Sequence, residues 1–246
     1  EYLKCLCKKN DDILLSVTDR YGVELDTVVC KECGLIRTSK MFITENLTHF
    51  YQNHYRSITN DVPGFVDPEI FYNQQAENGL SKFKLIKKYS KNEINRDTMI
   101  VDVGGGAGGV LENFKPSSNL YLADFFAPYQ AVAKKNGLNV INGGLNKIDF
   151  KPDIIIISHV IEHWNEFDAE MQCLIKLQKI NETLNYIEFP GVDSLKSGRR
   201  GGDILGDLHI PHVFYFSSYV FENIMNRYGF KKLYLDSKTR SIFIYT

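Results

Sequence analysis

The chain has 246 residues, 43% apolar and 24% charged, which suits an ordinary globular protein with one sizeable core and excludes a disordered or fibrous one. Lys plus Arg total 29 against 30 Asp plus Glu, and a net charge of −1 provides no broad field for a polyanion, so nucleic acid is not expected as a partner. The longest aliphatic run, the four isoleucines 154–157, falls far short of the roughly 20 residues that cross a bilayer, so no membrane span is expected. The first ten residues carry Lys4, Lys8, Lys9 and two cysteines with no apolar stretch, unlike a secretory signal, and a cytoplasmic address is expected.

Four of the 5 cysteines, Cys5, Cys7, Cys30 and Cys33, fall in the first 33 residues. In a reducing compartment such a cluster points to metal ligation more than to disulfides. Cys30-Lys31-Glu32-Cys33-Gly34 is a two-ligand knuckle in which Gly34 lets the backbone fold back toward the thiolates; Cys5-Leu6-Cys7 has one intervening residue where two or more are usual. A structural Zn²⁺ held by all four would organise a module of residues 1–40 that is too short for its own core. Residues 41–95, rich in Tyr, Phe, Asn and Gln, with Pro63-Gly64 and Asp67-Pro68 as breaks, read as a connector of short helices and turns that lids the main domain.

From residue 96 to 246, apolar runs alternate with helical periodicity, the pattern of βα units around a mostly parallel sheet. Strands are expected over 99–103, 120–123, 138–141, 154–157 and 184–189, and a closing antiparallel hairpin over 230–235 and 241–245. Helices are expected over 127–136, over 166–180 with Asn165 and Asp168 as a capping pair, and over 218–228 ahead of Gly229. Cys173 falls on the apolar face of the second helix and reads as a packed thiol.

The segment 101–109, VDVGGGAGG, lies where the first strand turns toward a helix, and its glycines allow backbone to approach a ligand closely. Two fingerprints fit. Gly104, Gly106 and Gly109 make the dinucleotide pattern, while Asp102, Gly104, Gly106 and Gly108 make the acidic pattern of S-adenosylmethionine (SAM) enzymes. Asp124, at the end of the second strand, suits ribose hydroxyls in either case. Asp102 favours a ligand bearing an ammonium over a pyrophosphate.

Residues 98–246 resemble a class I SAM-dependent methyltransferase, from the Asp102 loop through the stretch 152–163, PDIIIISHVIEH, to the final hairpin. The resemblance implies an α/β, Rossmann-like sheet of seven strands, with Asp102 and the glycines facing the methionine part of SAM and Asp124 holding the ribose. It also implies that Gly143-Gly144 lies near the adenine, though those glycines equally describe a plain loop. His159, in the loop after the fourth strand, is placed with the cofactor. The cysteine module, with Tyr51, Tyr55 and Arg56, is similar to that of zinc-ribbon-bearing methyltransferases of sugar and surface-polysaccharide pathways, which implies a sugar acceptor methylated on oxygen or carbon.

A sugar hydroxyl has a high pKa and needs a base as its bond to methyl forms. The loops beyond the strands' carboxyl ends hold His159, Glu162 and His163 after the fourth strand, and Arg199, Arg200, His209 and His212 after the fifth. His212 is the expected base, with His209 or His163 as alternatives and Glu162 beside them. Residues 159–163 also match the H-x-x-E-H zinc-protease pattern, but a start at the end of a buried strand argues against that role. Arg199 and Arg200 among glycines describe a phosphate clamp or a solvated loop. Two rival functions are compatible with the same letters: a nicotinamide-dependent sugar dehydrogenase or epimerase, and a non-catalytic SAM-binding adaptor.

Overall fold

The computed structural model describes residues 2–40 and 67–246. Tyr51, Tyr55, Arg56 and the rest of residues 41–66 of the connector lie outside the described residues. The cysteine module is built on a small antiparallel sheet of β1 (Asp12–Thr18), β2 (Glu24–Cys30) and β3 (Ile36–Thr38). Gly34 turns the chain between β2 and β3 with φ +75°, donating its N–H to the Cys30 carbonyl at 2.9 Å. Arg37 on β3 is buried and donates from both terminal nitrogens to Asp12, at 2.9 and 2.8 Å, and from Nε to the Leu3 carbonyl at 3.2 Å. This fork ties the N-terminal segment to two strands, and a bidentate pair satisfies the guanidinium that burial would otherwise strand. A fourth strand, β9 (Phe214–Tyr215), arrives from far along the chain and pairs antiparallel with β3, Ile36 opposite Tyr215 and Arg37 opposite Phe214.

The main sheet contains β4 (Met99–Val103), β5 (Asn119–Asp124), β6 (Asn139–Asn142), β7 (Ile154–Ser158), β8 (Leu184–Glu188), β10 (Phe230–Leu235) and β11 (Arg240–Tyr245). Their spatial order is β10-β11-β8-β7-β4-β5-β6, seven strands, mostly parallel, with β11 antiparallel to both neighbours. The α/β, Rossmann-like sheet expected from the sequence is present. Strand order reverses between β4 and its neighbours β5 and β7, which opens a crevice at the carboxyl ends. Because side chains alternate across a strand, the isoleucines of β7 serve both faces: Ile155 and Ile157 join Val101, Val103, Phe189 and Phe221, while Ile154 and Ile156 join Ile100, Leu122 and Tyr186. Leu3, Cys5, Cys30 and Leu35 belong to the first of these clusters, so the cysteine module shares the core of one sheet face.

The described end of the connector departs from the expected short helices. Residues Pro68–Tyr89 form one helix of 22 residues, α1. Asp67-Pro68, expected as a break, starts it: the Asp67 carboxylate accepts the N–H groups of Glu69 and Ile70 at 2.8 and 3.2 Å, and Pro68 occupies the first turn. The remaining helices are α2 (Ala127–Lys135), α3 (Phe167–Lys176) and α4 (Ser218–Arg227). In α3 the expected capping pair is absent, because Asp168 instead accepts from Lys8 and Tyr228. The partly buried Cys173 packs against the core. Among the described residues no helix is long and apolar enough to cross a membrane.

An α-helix was expected after the glycine-rich loop, but Gly109–Phe114 winds as a tighter 3-10 segment. Helix α1 lies directly against it. A Cβ on Gly109 would sit 1.9 Å from the Tyr72 carbonyl oxygen, and one on Gly79 would meet the Val110 backbone at 3.0 Å. Gly109→Ala must therefore push α1 away and should cost about 1–3 kcal/mol. Urea denaturation checks the loss, and amide exchange of α1 checks its location; unchanged stability would contradict this packing.

Candidate active site

The strand-to-loop turn puts Asp102 beneath the glycines. Its carboxylate is buried against Gly105, where a Cβ would come within 2.5 Å of it, and neither oxygen has a hydrogen-bond partner among the described residues. Burial pushes its pKa up to about 7; Lys82 pulls it down and Asp124 adds to the rise. Asp124, at the end of β5, closes the turn from the other side, accepting the N–H of Gly106 at 2.9 Å and of Phe126 at 2.9 Å. Gly104, Gly106 and Gly108 all have positive φ, +65°, +60° and +83°, which only glycine adopts without strain. The Gly143-Gly144 turn lies beside this end of β5: the Gly143 N–H reaches the Asp124 carbonyl at 3.3 Å, and exposed Phe125 flanks Gly144.

Helix α1 completes this half of the site with residues that carry no sequence motif. Gln75 donates to the Gly105 carbonyl at 2.9 Å and accepts from the Gly109 N–H at 3.3 Å, gripping the loop at two points. One helical turn from Gly79, Lys82 reaches the carboxyl ends of β7 and β8, donating to Ser158 at 3.1 Å and forming an ion pair with Glu188. Tyr186 donates to the same carboxylate at 2.9 Å. Burial alone would raise the Glu188 pKa, but Lys82 overcomes it and holds the carboxylate below its ordinary range. The spacing Tyr72, Gln75, Gly79, Lys82, Ile86 is a helical stripe that the sequence does show, hidden because three of its five members are not apolar.

The second half of the site is built after β7. His159 opens the loop in a left-handed conformation, φ +58°, with its N–H on the Glu188 carbonyl at 2.8 Å and its ring exposed. Such a backbone is costly for a non-glycine residue and is found where the surrounding structure dictates it. A short turn then buries Glu162 and half-buries His163, so neither is a surface residue. Both oxygens of Glu162 lack a hydrogen-bond partner among the described residues. Three imidazole nitrogens face its Oε1: His159 Nδ1 at 3.6 Å, His212 Nε2 at 3.8 Å and His163 Nε2 at 3.9 Å. His212 is brought there from the other long loop, whose Val213 N–H donates to the Glu162 carbonyl at 2.8 Å.

The His209 ring packs on that of His212 with centroids 3.8 Å apart. Burial, aided by neighbouring charges, lowers the His212 pKa well below its ordinary value, and burial takes that of His209 down to about 4, so both are neutral at physiological pH. Arg199 lies on a short helical turn, Arg199–Gly202, of the same loop; the side chains of Arg199 and Arg200 lie outside the described atoms.

In the small sheet's module the four N-terminal cysteines converge. Cys5 and Cys33 sulfurs lie 3.5 Å apart, Cys5 and Cys7 3.4 Å, and Cys7 and Cys30 3.6 Å. These separations far exceed a disulfide bond of about 2.05 Å and approach the ~3.8 Å between thiolates on a tetrahedral ion with ~2.3 Å bonds. All four sulfurs lie within 4.8 Å of one another, a set able to hold a metal ion, and the single-residue spacing of Cys5 and Cys7 brings both into it. Burial acts to raise the Cys30 thiol, but the N–H groups of Cys33 and Glu32 and the adjacent thiols bring it below its ordinary value.

A family model described as a methyltransferase domain matches residues 48–235. No curated protein matches the chain. Among solved structures it is similar to magnesium protoporphyrin IX methyltransferase from Synechocystis PCC 6803 with bound SAH, at 14% identity and TM-score 0.52, over 82% of this chain and 99% of that one. The same protein with bound SAM aligns at 13% identity and TM-score 0.51, over 85% and 99%. The plantazolicin methyltransferase BpumL, in complex with a monoazolic desmethylPZN analog and SAH, aligns at 19% identity and TM-score 0.51, over 67% and 71%. At these identities the likeness is one of fold. The family match sets the nicotinamide alternative aside. With a glycine turn between two acids at the switch point of a seven-stranded sheet, and a family match over most of its length, the chain belongs to the methyltransferase-domain family and is a SAM-dependent methyltransferase.

Proposed function

We propose that the chain transfers a methyl group from SAM to a carbohydrate, a nucleotide-activated sugar or surface polysaccharide, on oxygen or on a carbon beside a carbonyl. The observation that carries this reading is the Glu162, His163, His212 cluster at the mouth of the sheet. Bound SAM supplies a methyl on a sulfonium, an electrophile that needs only an aligned nucleophile. An acceptor amine needs little help, whereas a sugar hydroxyl or a carbon acid must lose a proton, and a buried carboxylate beside the neutral imidazole of His212 suits that demand. His212 takes the role of base, Glu162 favours the imidazolium that forms, and His163 and His209 hold the pair in place. The zinc-ribbon resemblance points to the same acceptor class, with Zn²⁺ on Cys5, Cys7, Cys30 and Cys33 in a structural role.

The residues of the turn fit the cofactor. Gly104 is the exposed glycine of the turn, so backbone is open to a ligand there. A carboxylate accepts up to about four hydrogen bonds, so Asp124 can take ribose hydroxyls beside the N–H groups of Gly106 and Phe126. Asp102 supplies negative charge under the loop for a ligand carrying an ammonium and a sulfonium. Gly144 and the exposed ring of Phe125 offer a flat surface for the adenine, and His159 stands between the two halves.

Asp102 gives a test with opposite signs. Its pKa is raised on folding from 3.8 to about 7, so the stability tied to its neutral form is complete below pH 4 and is lost as pH rises through 7. Asp102→Asn should therefore stabilise the free protein at pH 8, by about 1.4 kcal/mol per unit of that rise, while weakening SAM. Thermal unfolding and calorimetry follow both quantities: SAM affinity should strengthen from pH 6 to pH 8 in the parent chain and stay flat in the variant. Weaker stability together with unchanged SAM affinity would contradict the assignment.

The acceptor is tested by incubating the full chain with SAM and a panel of nucleotide-activated sugars, with peptide and porphyrin controls, and following product mass. Transfer to a sugar is expected, with His212→Ala slowing it about 10²–10⁴-fold at unchanged SAM affinity. Tight SAM binding with no transfer to any sugar would instead describe an adaptor.

A further inference from the structure

Resting on that reading of the acceptor site, we infer that Glu162, His163 and His212 bind a first-row divalent transition-metal ion, which holds and activates the acceptor oxygen. Their ligand atoms lie within 4.8 Å of one another, and Glu162 presents a buried carboxylate with no hydrogen-bond partner for either oxygen among the described residues. A buried carboxylate without a donor is costly, and a cation removes that cost. The His163 Nδ1 lies 2.6 Å from the Pro211 carbonyl, an oxygen that only accepts, so Nδ1 carries a proton and Nε2 is the ring nitrogen turned toward Glu162, able to ligate in the neutral tautomer. That arrangement, a ring N–H fixed on a backbone carbonyl with the opposite nitrogen facing inward, is how metal-ligating histidines are oriented. His163 Nε2 lies 3.9 Å and His212 Nε2 3.8 Å from Glu162 Oε1, so an ion among them takes one ligand atom from each and gives the buried carboxylate its partner.

Metal–nitrogen and metal–oxygen bonds of about 2.0–2.2 Å put tetrahedral ligand atoms about 3.3–3.5 Å apart, so each imidazole nitrogen, now 3.8 and 3.9 Å from Glu162 Oε1, comes to ligand separation from that carboxylate by a shift of a few tenths of an ångström. Two imidazoles and one carboxylate favour Zn²⁺, Fe²⁺, Co²⁺ or Mn²⁺ over Mg²⁺ and leave coordination positions open. An acceptor hydroxyl or enolisable carbonyl bound there becomes more acidic and releases its proton to solvent. The electron pair freed on the acceptor then forms the bond to the methyl carbon as the carbon–sulfur bond breaks onto sulfur. With the ion present, His212 acts as a ligand and the ion replaces its basicity.

Mn²⁺ provides the probe, since thiolate sites such as the cysteine cluster disfavour it. Titration of the full chain, followed by the spin-resonance signal of free Mn²⁺, should show one saturable site, weakened tenfold or more in Glu162→Gln and in His163→Gln. Should a variant fail to fold, proton NMR of the parent chain answers the same question: of its 6 histidines, His163 and His212 should broaden first. No saturable Mn²⁺ site, or broadening confined to other histidines, overturns the inference. Calorimetry of SAM without added metal keeps the two readings apart: SAM binding and metal-independent methyl transfer would remove the ion and leave the methyltransferase reading standing.

Discussion

Two residues of backbone pairing hold the histidine side of this site to the cysteine module. The ladder between β3 and β9, extended by the Thr38 N–H on the Val213 carbonyl at 3.0 Å, binds the cysteine module to the loop that carries His212. On its other side the same Val213 holds the Glu162 carbonyl, so the module, His212 and Glu162 form one continuous hydrogen-bonded path. The Arg20 N–H on the Leu208 carbonyl at 2.8 Å adds a second tie ahead of His209. A loop of this length would otherwise lose much of its order to conformational entropy. The cysteine module therefore acts as a brace for the loop that carries His209 and His212 as well as a part of the core.

Both halves of the site keep a buried carboxylate without a hydrogen-bond donor among the described residues, Asp102 under the glycine turn and Glu162 among the histidines. Each costs stability in the free chain, and such unsatisfied charge persists where a cation or a reacting group completes it. Helix α1 is what makes the first of these tolerable: Gln75 fixes the turn that covers Asp102, and Lys82 lowers the pKa of that carboxyl from the strand ends. The Lys82–Glu188 pair also locks the residue whose carbonyl holds His159 in its left-handed conformation, linking α1 to the entrance of the acceptor side.

The sheet was legible because its strands are short, apolar and separated by clear helix stops; β4 and β10 occupy the expected ranges, and the others differ by a residue or two at their ends. The 3-10 winding after the glycine turn was not legible: Tyr72 packs on Gly109 from a distant segment, and no local propensity encodes that contact. The missing cap of α3 has the same origin, since Asp168 is drawn to Lys8 and Tyr228 rather than to its own helix. Histidines near the strand ends could be named from the letters, but the burial of Glu162 depends on β9 pairing with β3, a long-range event that spacing does not reveal. The polar stripe of α1 is written in the letters, yet it has too few apolar members to register as a buried helix face.

The bracing of the acceptor loop by the cysteine module is tested most directly by amide hydrogen exchange on Cys30→Ser, read at Val213–Phe216 beside SAM binding in the same sample. Exchange in that segment should accelerate severalfold or more and methyl transfer should fall, while SAM affinity at the distant glycine turn holds. Unchanged protection from Val213 to Phe216, with methyl transfer intact, would contradict the account.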